Sequence, residues 1–434
     1  MIMDKRNEIR IKDASFPAPF AAGLEFNAPV HGTWNIVHIG MQFPMAHQIY
    51  ICADNCMRGV VMTAAEMGML DRISGVVLSE EEMVSDDITK VTLEGISELL
   101  HKFDKLPEAI IVFPVCVHHF LSCDMEYVYS HLEEEFPGVI FMRAFMDPIM
   151  QKLHLTPEQT LRRAMLEPVK AKETDDRQIN ILGCDMPLDK DSELFNLLTS
   201  NGYKVIEIFD CKTVESYMDL GAGRLNICNY PTGDHGVKAF SDRCDIPYLY
   251  LPLAVDYDEI DKELKLMCDT LGIGMPDYQD RRAECDKAFS DLKDNLNAAP
   301  VAIDYTVHPR PFGIAYLLLS HGINVTKVFA DKVTDEEKDV FEKLQKEYPD
   351  LVVAATITPG ARRMSRNDSD VVAVGQKAAW FCGTKHFVNM VEGGGLFGYE
   401  GIIRLAGLIA EAYDTESDTE DIVPRKGLGC VSCI

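Results

Sequence analysis

Cysteine and histidine are dense in two short stretches of the first third of this chain, and both types can bind metal or carry protons. In the first stretch, 41–59, Pro44, His47, Cys52 and Cys56 lie close together, with Arg58 just beyond. A helix over 50–58 would set Cys52 and Cys56 at i and i+4, on one face, where two thiolates can reach one metal centre. Arg58 would then favour the thiolate form. The plainer alternative is a helix that packs two small cysteines inward. In the second stretch, 113–124, Cys116, His118, His119 and Cys123 follow a strand pattern directly and offer four soft or borderline ligands from one turn. Asp124 is placed there to cap the next helix, and the alternative for the histidine pair is surface or packing.

Two further features are weaker. The loop 392–401 is rich in glycine and opens a long helical pattern, so its amides could hold an anion or admit a close backbone. It has neither the Lys-Ser/Thr ending of a phosphate loop nor a spaced Gly-x-Gly-x-x-Gly after a strand, so nucleotide binding by this chain is not expected. Cys430 and Cys433 form a C-x-x-C in an aperiodic tail, and two thiols cannot complete a tetrahedral site. They could lend ligands to a neighbouring chain, act as a thiol–disulfide couple, or do nothing.

The elements that would hold these residues repeat one rhythm, a short β-branched run, a turn, then an amphipathic stretch, which predicts parallel sheets covered by helices. Strand candidates are 35–40, 75–78, 109–113 and 139–143; then 179–183, 204–209, 224–228 and 247–251; then 300–304, 324–329, 351–355 and 385–390. Helical patterns separate them, among them 64–69, 93–103 and 124–135 in the first block and 313–321, 334–347, 371–381 and 399–412 in the last. The expected architecture is α/β, with three doubly wound Rossmann-like domains. Charged connectors at 170–178 and 277–294 suggest boundaries giving 1–174, 175–295, 296–414 and a tail 415–434.

Charge narrows the partners. With 42 Lys+Arg against 69 Asp+Glu the formal net charge is −27, which repels a phosphate backbone, so nucleic acid is not expected as a partner. No apolar h-region opens the sequence and no window nears the roughly 18 apolar residues of a membrane span, so a cytoplasmic, membrane-free protein is expected. Thirteen cysteines without an export signal argue against a disulfide framework. Cys184, Cys211, Cys244, Cys268, Cys285 and Cys382 are expected to be small buried hydrophobes.

From 27 to 413 the chain resembles the nitrogenase component 1 family, three-domain subunits that hold iron–sulfur clusters and are reduced by an ATP-driven iron protein. The residues that carry the likeness are the turn 116–124, Ile179-Asn180-Ile181-Leu182-Gly183, Arg224-Leu225-Asn226-Ile227-Cys228 and Gly398-Tyr399-Glu400-Gly401. The resemblance implies three cysteines at a cluster between subunits. Cys116 matches the third, while the first place falls near Asn27 and the second on His47, three residues after Pro44. Cys52, Cys56 and Cys123 could substitute, or the partner subunit could supply most ligands. The places of the cysteine and histidine that hold the catalytic cofactor of true nitrogenase fall at Tyr230, two residues from Cys228, and at Phe397, so dinitrogen reduction is not expected.

The resemblance thus implies an oxidoreductase subunit with an iron–sulfur cluster, 4Fe–4S in type, passing low-potential electrons to a small-molecule substrate. Cys52, Cys56 and Cys116 are the expected ligands, Cys123 and His47 further ones, and His118 or His119 a ligand or proton donor. The implied partners are an ATP-dependent iron-protein reductase and a homologous component 1 subunit. The rival readings are a non-catalytic scaffold or carrier for iron–sulfur or metallo-cofactor assembly, and a subunit that only shapes a heterodimer.

Overall fold

The computed structural model describes residues 7–418 except 22, 24, 27, 29, 31, 33, 34, 86, 148–154 and 365. Cys430 and Cys433 therefore lie outside the described residues, as does Asn27. Three sheets form among the described residues, of six, four and four strands.

A short strand β1 (Glu8–Arg10) is followed by α1 (Ile36–Met41), β2 (His47–Cys52), α2 (Asp54–Glu66), β3 (Ile73–Val77), α3 (Glu80–Ser85) and α4 (Ile88–Leu100). Then come β4 (Ala109–Pro114), α5 (Cys116–Phe120), α6 (Met125–Glu135), β5 (Ile140–Arg143) and α7 (Pro157–Leu166). The sheet order is β3-β2-β4-β5, all parallel. Strands β2 and β4 are buried along their whole length, as a parallel sheet covered on both faces requires. Tyr50, Cys52, Ile111 and Phe113 enter one apolar cluster, and Ile49, Ile51, Ile110 and Val112 the other.

Here the sequence expectation is corrected. The β-branched run 35–40 is not a strand but helix α1, packed so closely on β2 that a Cβ on Gly40 would meet the Gln48 amide nitrogen at 2.7 Å. The first strand of the sheet is His47–Cys52, and the next helix begins only at Asp54. Cys52 and Cys56 consequently share no helix face.

The second sheet uses β6 (Asp175–Leu182), β7 (Lys204–Glu207), β8 (Gly223–Cys228) and β9 (Tyr248–Tyr250) in the order β7-β6-β8-β9, again parallel. Helices α8 (Glu193–Ser200), α9 (Val214–Met218) and α10 (Asp234–Cys244) lie between them in sequence. After α11 (Tyr257–Leu271), the charged connector 277–294 proves to be mostly helix α12 (Gln279–Leu296).

The third sheet is built by β10 (Val301–Asp304), α13 (Pro311–Ser320), β11 (Val325–Phe329), α14 (Lys338–Glu347), β12 (Val352–Ala354), β13 (Val372–Val374), α15 (Gln376–Cys382), β14 (Phe387–Val388) and α16 (Gly398–Asp414). Its order is β1-β12-β11-β10-β13-β14, with β1 antiparallel at the edge. The stretch 371–381, read as one helix, is instead strand β13 and helix α15 joined at Gly375, whose φ is +116°.

By contacts the chain forms two compact units, one of residues 34–185 with 204–250, the other holding 7–33, 186–203 and 251–418. The first contains the β2–β5 and β6–β9 sheets, and the second the remaining sheet with α8.

In each sheet the strand that comes first among the parallel set lies inside, and the chain winds out to either side of it. Switch points therefore fall between β2 and β4, β6 and β8, and β10 and β13, where α/β proteins place ligands. Two of the three are closed by the protein itself. At β10/β13, Asp304 accepts hydrogen bonds from the Thr306 and Ala378 amides, each at 2.7 Å, and a Cβ on Gly375 would meet its Oδ2 at 2.2 Å. At β6/β8, a Cβ on Gly233 would lie 2.4 Å from the Gly183 Cα, and the buried Cys228 thiol donates to the Tyr230 carbonyl at 3.3 Å.

The motif 398–401 opens α16 and serves packing. Gly398 sits at φ +67° because Glu193 caps the helix, accepting from the Glu400 amide at 3.1 Å and from Arg281 at 3.2 Å. The buried Tyr399 hydroxyl donates to Asp261 at 2.7 Å, and Glu400 pairs with Arg281 at 2.5 Å.

Candidate functional site

The β2/β4 switch point is the one that exposes reactive side chains among the described residues. The register sets Ile51 opposite Pro114, so Cys52 ends its strand beside Val115 and Cys116. Val115 in turn bridges to Met146, which brings Asp147 to the same end. The first turn of α2 starts from Ala53, where the Cys56 amide donates to the Ala53 carbonyl at 2.9 Å, and so carries Cys56 past the strand end.

The three thiols differ in access. Cys52 is buried with Tyr50, Val60 and Ala64, Cys116 is half-buried, and Cys56 is exposed. They are nevertheless electrostatic neighbours. Burial, then Cys56 and Asp54, pushes the Cys52 thiol up to about 12. Burial, then Asp147 and Cys56, also raises Cys116. The expected help from Arg58 is overridden, because low dielectric and carboxylates disfavour another negative charge. In the protein as it stands Cys52 and Cys116 are thiols at neutral pH, and a bound cation would release their protons.

The other expected ligands are placed elsewhere. His47 lies at the amino end of β2, five residues and so roughly 16 Å from Cys52 along the strand, with its Nε2 2.8 Å from the Ser74 hydroxyl and its ring edge-on to Phe103. His118 turns inward from α5. Its Nδ1 accepts from the Val115 amide at 3.2 Å and its Nε2 lies 3.2 Å from Thr92 Oγ1, while burial lowers its pKa to about 4. At neutral pH it is an uncharged structural imidazole. Cys123 shares Thr92 with it, at 3.9 Å, and is packed with Met125. His119 stays exposed, its ring edge-on to Phe120.

The six cysteines expected as hydrophobes, Cys184, Cys211, Cys244, Cys268, Cys285 and Cys382, are all buried. Sequence reasoning overlooked Asp147, although it follows a strand end, the position that marked Cys116. It also overlooked a buried chain of polar groups in the same unit. Arg162 pairs with Glu158 at 3.1 Å and with Asp185 at 2.7 Å, Gln42 donates to Asp185 at 2.7 Å, and Thr232 donates to Glu158 at 2.7 Å. These bonds tie the loops after α1, β6 and β8 to α7.

An iron–sulfur cube takes four thiolates. Among the described residues, no group of three or more His, Cys, Asp or Glu is arranged to hold a metal ion. Cys56 and Cys116, with Cys52 behind them, fit part of such a site and not a whole one. Among the described residues no helix is long and apolar enough to cross a membrane.

A family model described as nitrogenase component 1 type oxidoreductase matches residues 39–414. A comparison with curated proteins gives no match. Among solved structures, the chain is similar to one titled "Nitrogenase Cp1 at pH 6.5", with 14% identity and a TM-score of 0.66 over 91% of this chain and 94% of that one. It is similar too to "Nitrogenase Cp1 at pH 5", with 12% identity and a TM-score of 0.56 over 94% of this chain and 93% of the other. At such identities the structures carry the fold alone, whereas the family model spans most of the sequence: the chain belongs to the nitrogenase component 1 type oxidoreductase family.

Proposed function

We propose that the chain is a subunit of a component 1-like oxidoreductase that holds an iron–sulfur cluster of 4Fe–4S type and passes low-potential electrons to a small molecule other than dinitrogen. The observation that carries this reading is that Cys56, exposed, and Cys116, half-buried, are electrostatic neighbours beyond the carboxyl ends of the adjacent strands β2 and β4. The cluster, when bound, supplies one-electron transfer at a potential set by its ligands, charge and burial. Cys56 and Cys116 would give it two thiolates, and Cys52 a third if its side chain turns out of the core. A homologous subunit would complete the set, seated on Phe120 and Leu121 of the 116–121 turn, which are 67% and 42% exposed.

Dinitrogen is set aside because, on the resemblance, Tyr230 and Phe397 fall at the places of the cysteine and histidine that hold the catalytic cofactor of true nitrogenase. Electrons would come from an ATP-dependent iron-protein reductase, since the chain has no phosphate loop of its own. The division 1–174, 175–295, 296–414 and 415–434 and a cytoplasmic, anaerobic setting complete the reading. Protein made anaerobically with its partner and assembly machinery is expected to carry oxygen-labile iron and sulfide with a paramagnetic signal. A colourless, iron-free preparation overturns the reading.

A second reading is favoured by the incomplete ligand group and the exposure of Cys56. In it the chain is a carrier that receives a cluster or metallo-cofactor and hands it on. Reduction of the bound iron by an iron-protein reductase, tested with and without ATP, supports the first reading. Transfer of the intact iron to an acceptor protein, without such reduction, supports the second.

A further inference from the structure

A groove of about 500 Å³ runs along α13, walled by the first turns of α11 and by α14. That volume is in the range of small-ligand sites. Gly313, Tyr316, Leu317 and Ser320 give the groove its length. They are spaced i, i+3, i+4 and i+7 on one face of the helix, a span of about 11 Å. None of its lining residues belongs to the cysteine site.

At the floor the charges do not balance. Arg310, whose side chain is 8% exposed, donates from Nη1 to Glu259 at 2.6 Å and from Nε to the Pro252 carbonyl at 2.9 Å. Two more carboxyl groups face the same guanidinium. Glu337, buried just before α14, accepts from the Gly313 amide at 2.9 Å. Glu263, one turn beyond Glu259 on α11, has a buried Oε2 with no hydrogen-bond partner among the described residues. Burial raises the Glu337 and Glu263 carboxyls to about 8 and about 7, so near neutral pH they hold protons where a second cation is missing.

The walls favour a cation as well. Arg282 is taken up by Asp258 at 2.9 Å and Asp261 at 2.5 Å, so both arginines of the groove are already matched. Asp339, exposed on the first turn of α14, makes no hydrogen bond or ion pair with the described residues. Lys343 lies 5.6 Å over the Tyr316 ring, which shows that this wall can hold an ammonium group by its aromatic face. Lys262 and Lys343 are exposed at the rim, where long stems let their charges turn to water. Among the described residues no group of three or more His, Cys, Asp or Glu is arranged to hold a metal ion, which leaves an organic cation.

We propose that this groove binds a linear aliphatic polyamine, with an ammonium beside Glu337 as the missing countercharge and its methylene chain along Tyr316 and Leu317. Calorimetric titration of the full chain with spermidine tests this. One site is expected, weakened at least tenfold by Glu337→Gln and by Asp339→Lys. The second variant changes only an exposed side chain, so it decides the matter even where the first loses the fold. Glu133→Gln/Glu134→Gln, which removes two exposed charges from α6, should leave the affinity unchanged. The proposal fails if spermidine does not bind. It fails equally if the α6 variant weakens binding as much as Asp339→Lys, which marks diffuse attraction to a chain of net charge −27, or if an equal concentration of magnesium ion displaces the spermidine, which marks a metal site.

Discussion

Cys56 and Cys116 are brought together by register, not by nearness in sequence, and this separates them from the other candidates. If they hold iron, Cys56→Ser and Cys116→Ser are each expected to lose most of the bound iron in anaerobic metal analysis, whereas Cys123→Ser, packed beside Thr92, keeps it. Retention of full iron in both of the first two variants would remove the site. The buried histidines give a prediction that needs no metal. His118 and His308 have pKa values lowered by burial to about 4 and about 3, while an unfolded histidine titrates near 6.5. Between those limits the unfolded chain binds more protons, so stability is full above pH 6.5 and is lost as pH falls through the window. Each residue should account for about 2 kcal/mol at pH 5. His118→Asn is therefore expected to flatten the fall in denaturant midpoint between pH 7 and pH 5, although Val115 and Thr92 lose partners and the midpoint at pH 7 drops.

At the scale of elements, the sequence was most legible where the pattern was long. Strands β4 and β8 and helices α6 and α16 lie within a residue or two of their expected bounds because their apolar periods run unbroken and Asp124 caps the helix that follows it. It failed where tertiary packing outweighed local preference. Ile36, Val37 and Ile39 have strand-forming side chains, yet they coil into α1 so that Gly40 can lie on Gln48, while His47-Gln48 was too polar to announce a central strand. The site suffered from the same misplacement, since pairing Cys52 with Cys56 on one face supposes a helix over 50–58, whereas Cys52 ends strand β2. Strand β13 escaped notice because it is 3 residues long and runs straight into a helix. The cap of α16 offers a test at this scale. Gly398→Ala adds a Cβ 2.3 Å from Glu193 Oε2 at a φ that alanine resists, and about 1–3 kcal/mol of stability should be lost, read from denaturant unfolding. An unchanged midpoint would show that Glu193 does not hold the helix start.

At the scale of the molecule, the family model gives membership of the component 1 type oxidoreductase family, and the proposed subunit contact on Phe120 and Leu121 is a separate question. Phe120→Glu tests that contact. It lies on an exposed turn outside both core clusters of its sheet, so the fold should persist while association with a homologous subunit weakens at least tenfold in a binding titration. Undiminished binding would place the partner elsewhere. The outermost strand of the six-stranded sheet bears on the biography of the chain. Arg10 on β1 bonds to Asp350, 340 residues later, and β1 covers the otherwise bare outer border of β12. A ribosome adding about 5–20 residues per second would release β1 many seconds before β12 exists to receive it. For that interval the newborn polypeptide must wait with its first segment unmatched, so its yield in a cell should depend on chaperones that shield it during translation.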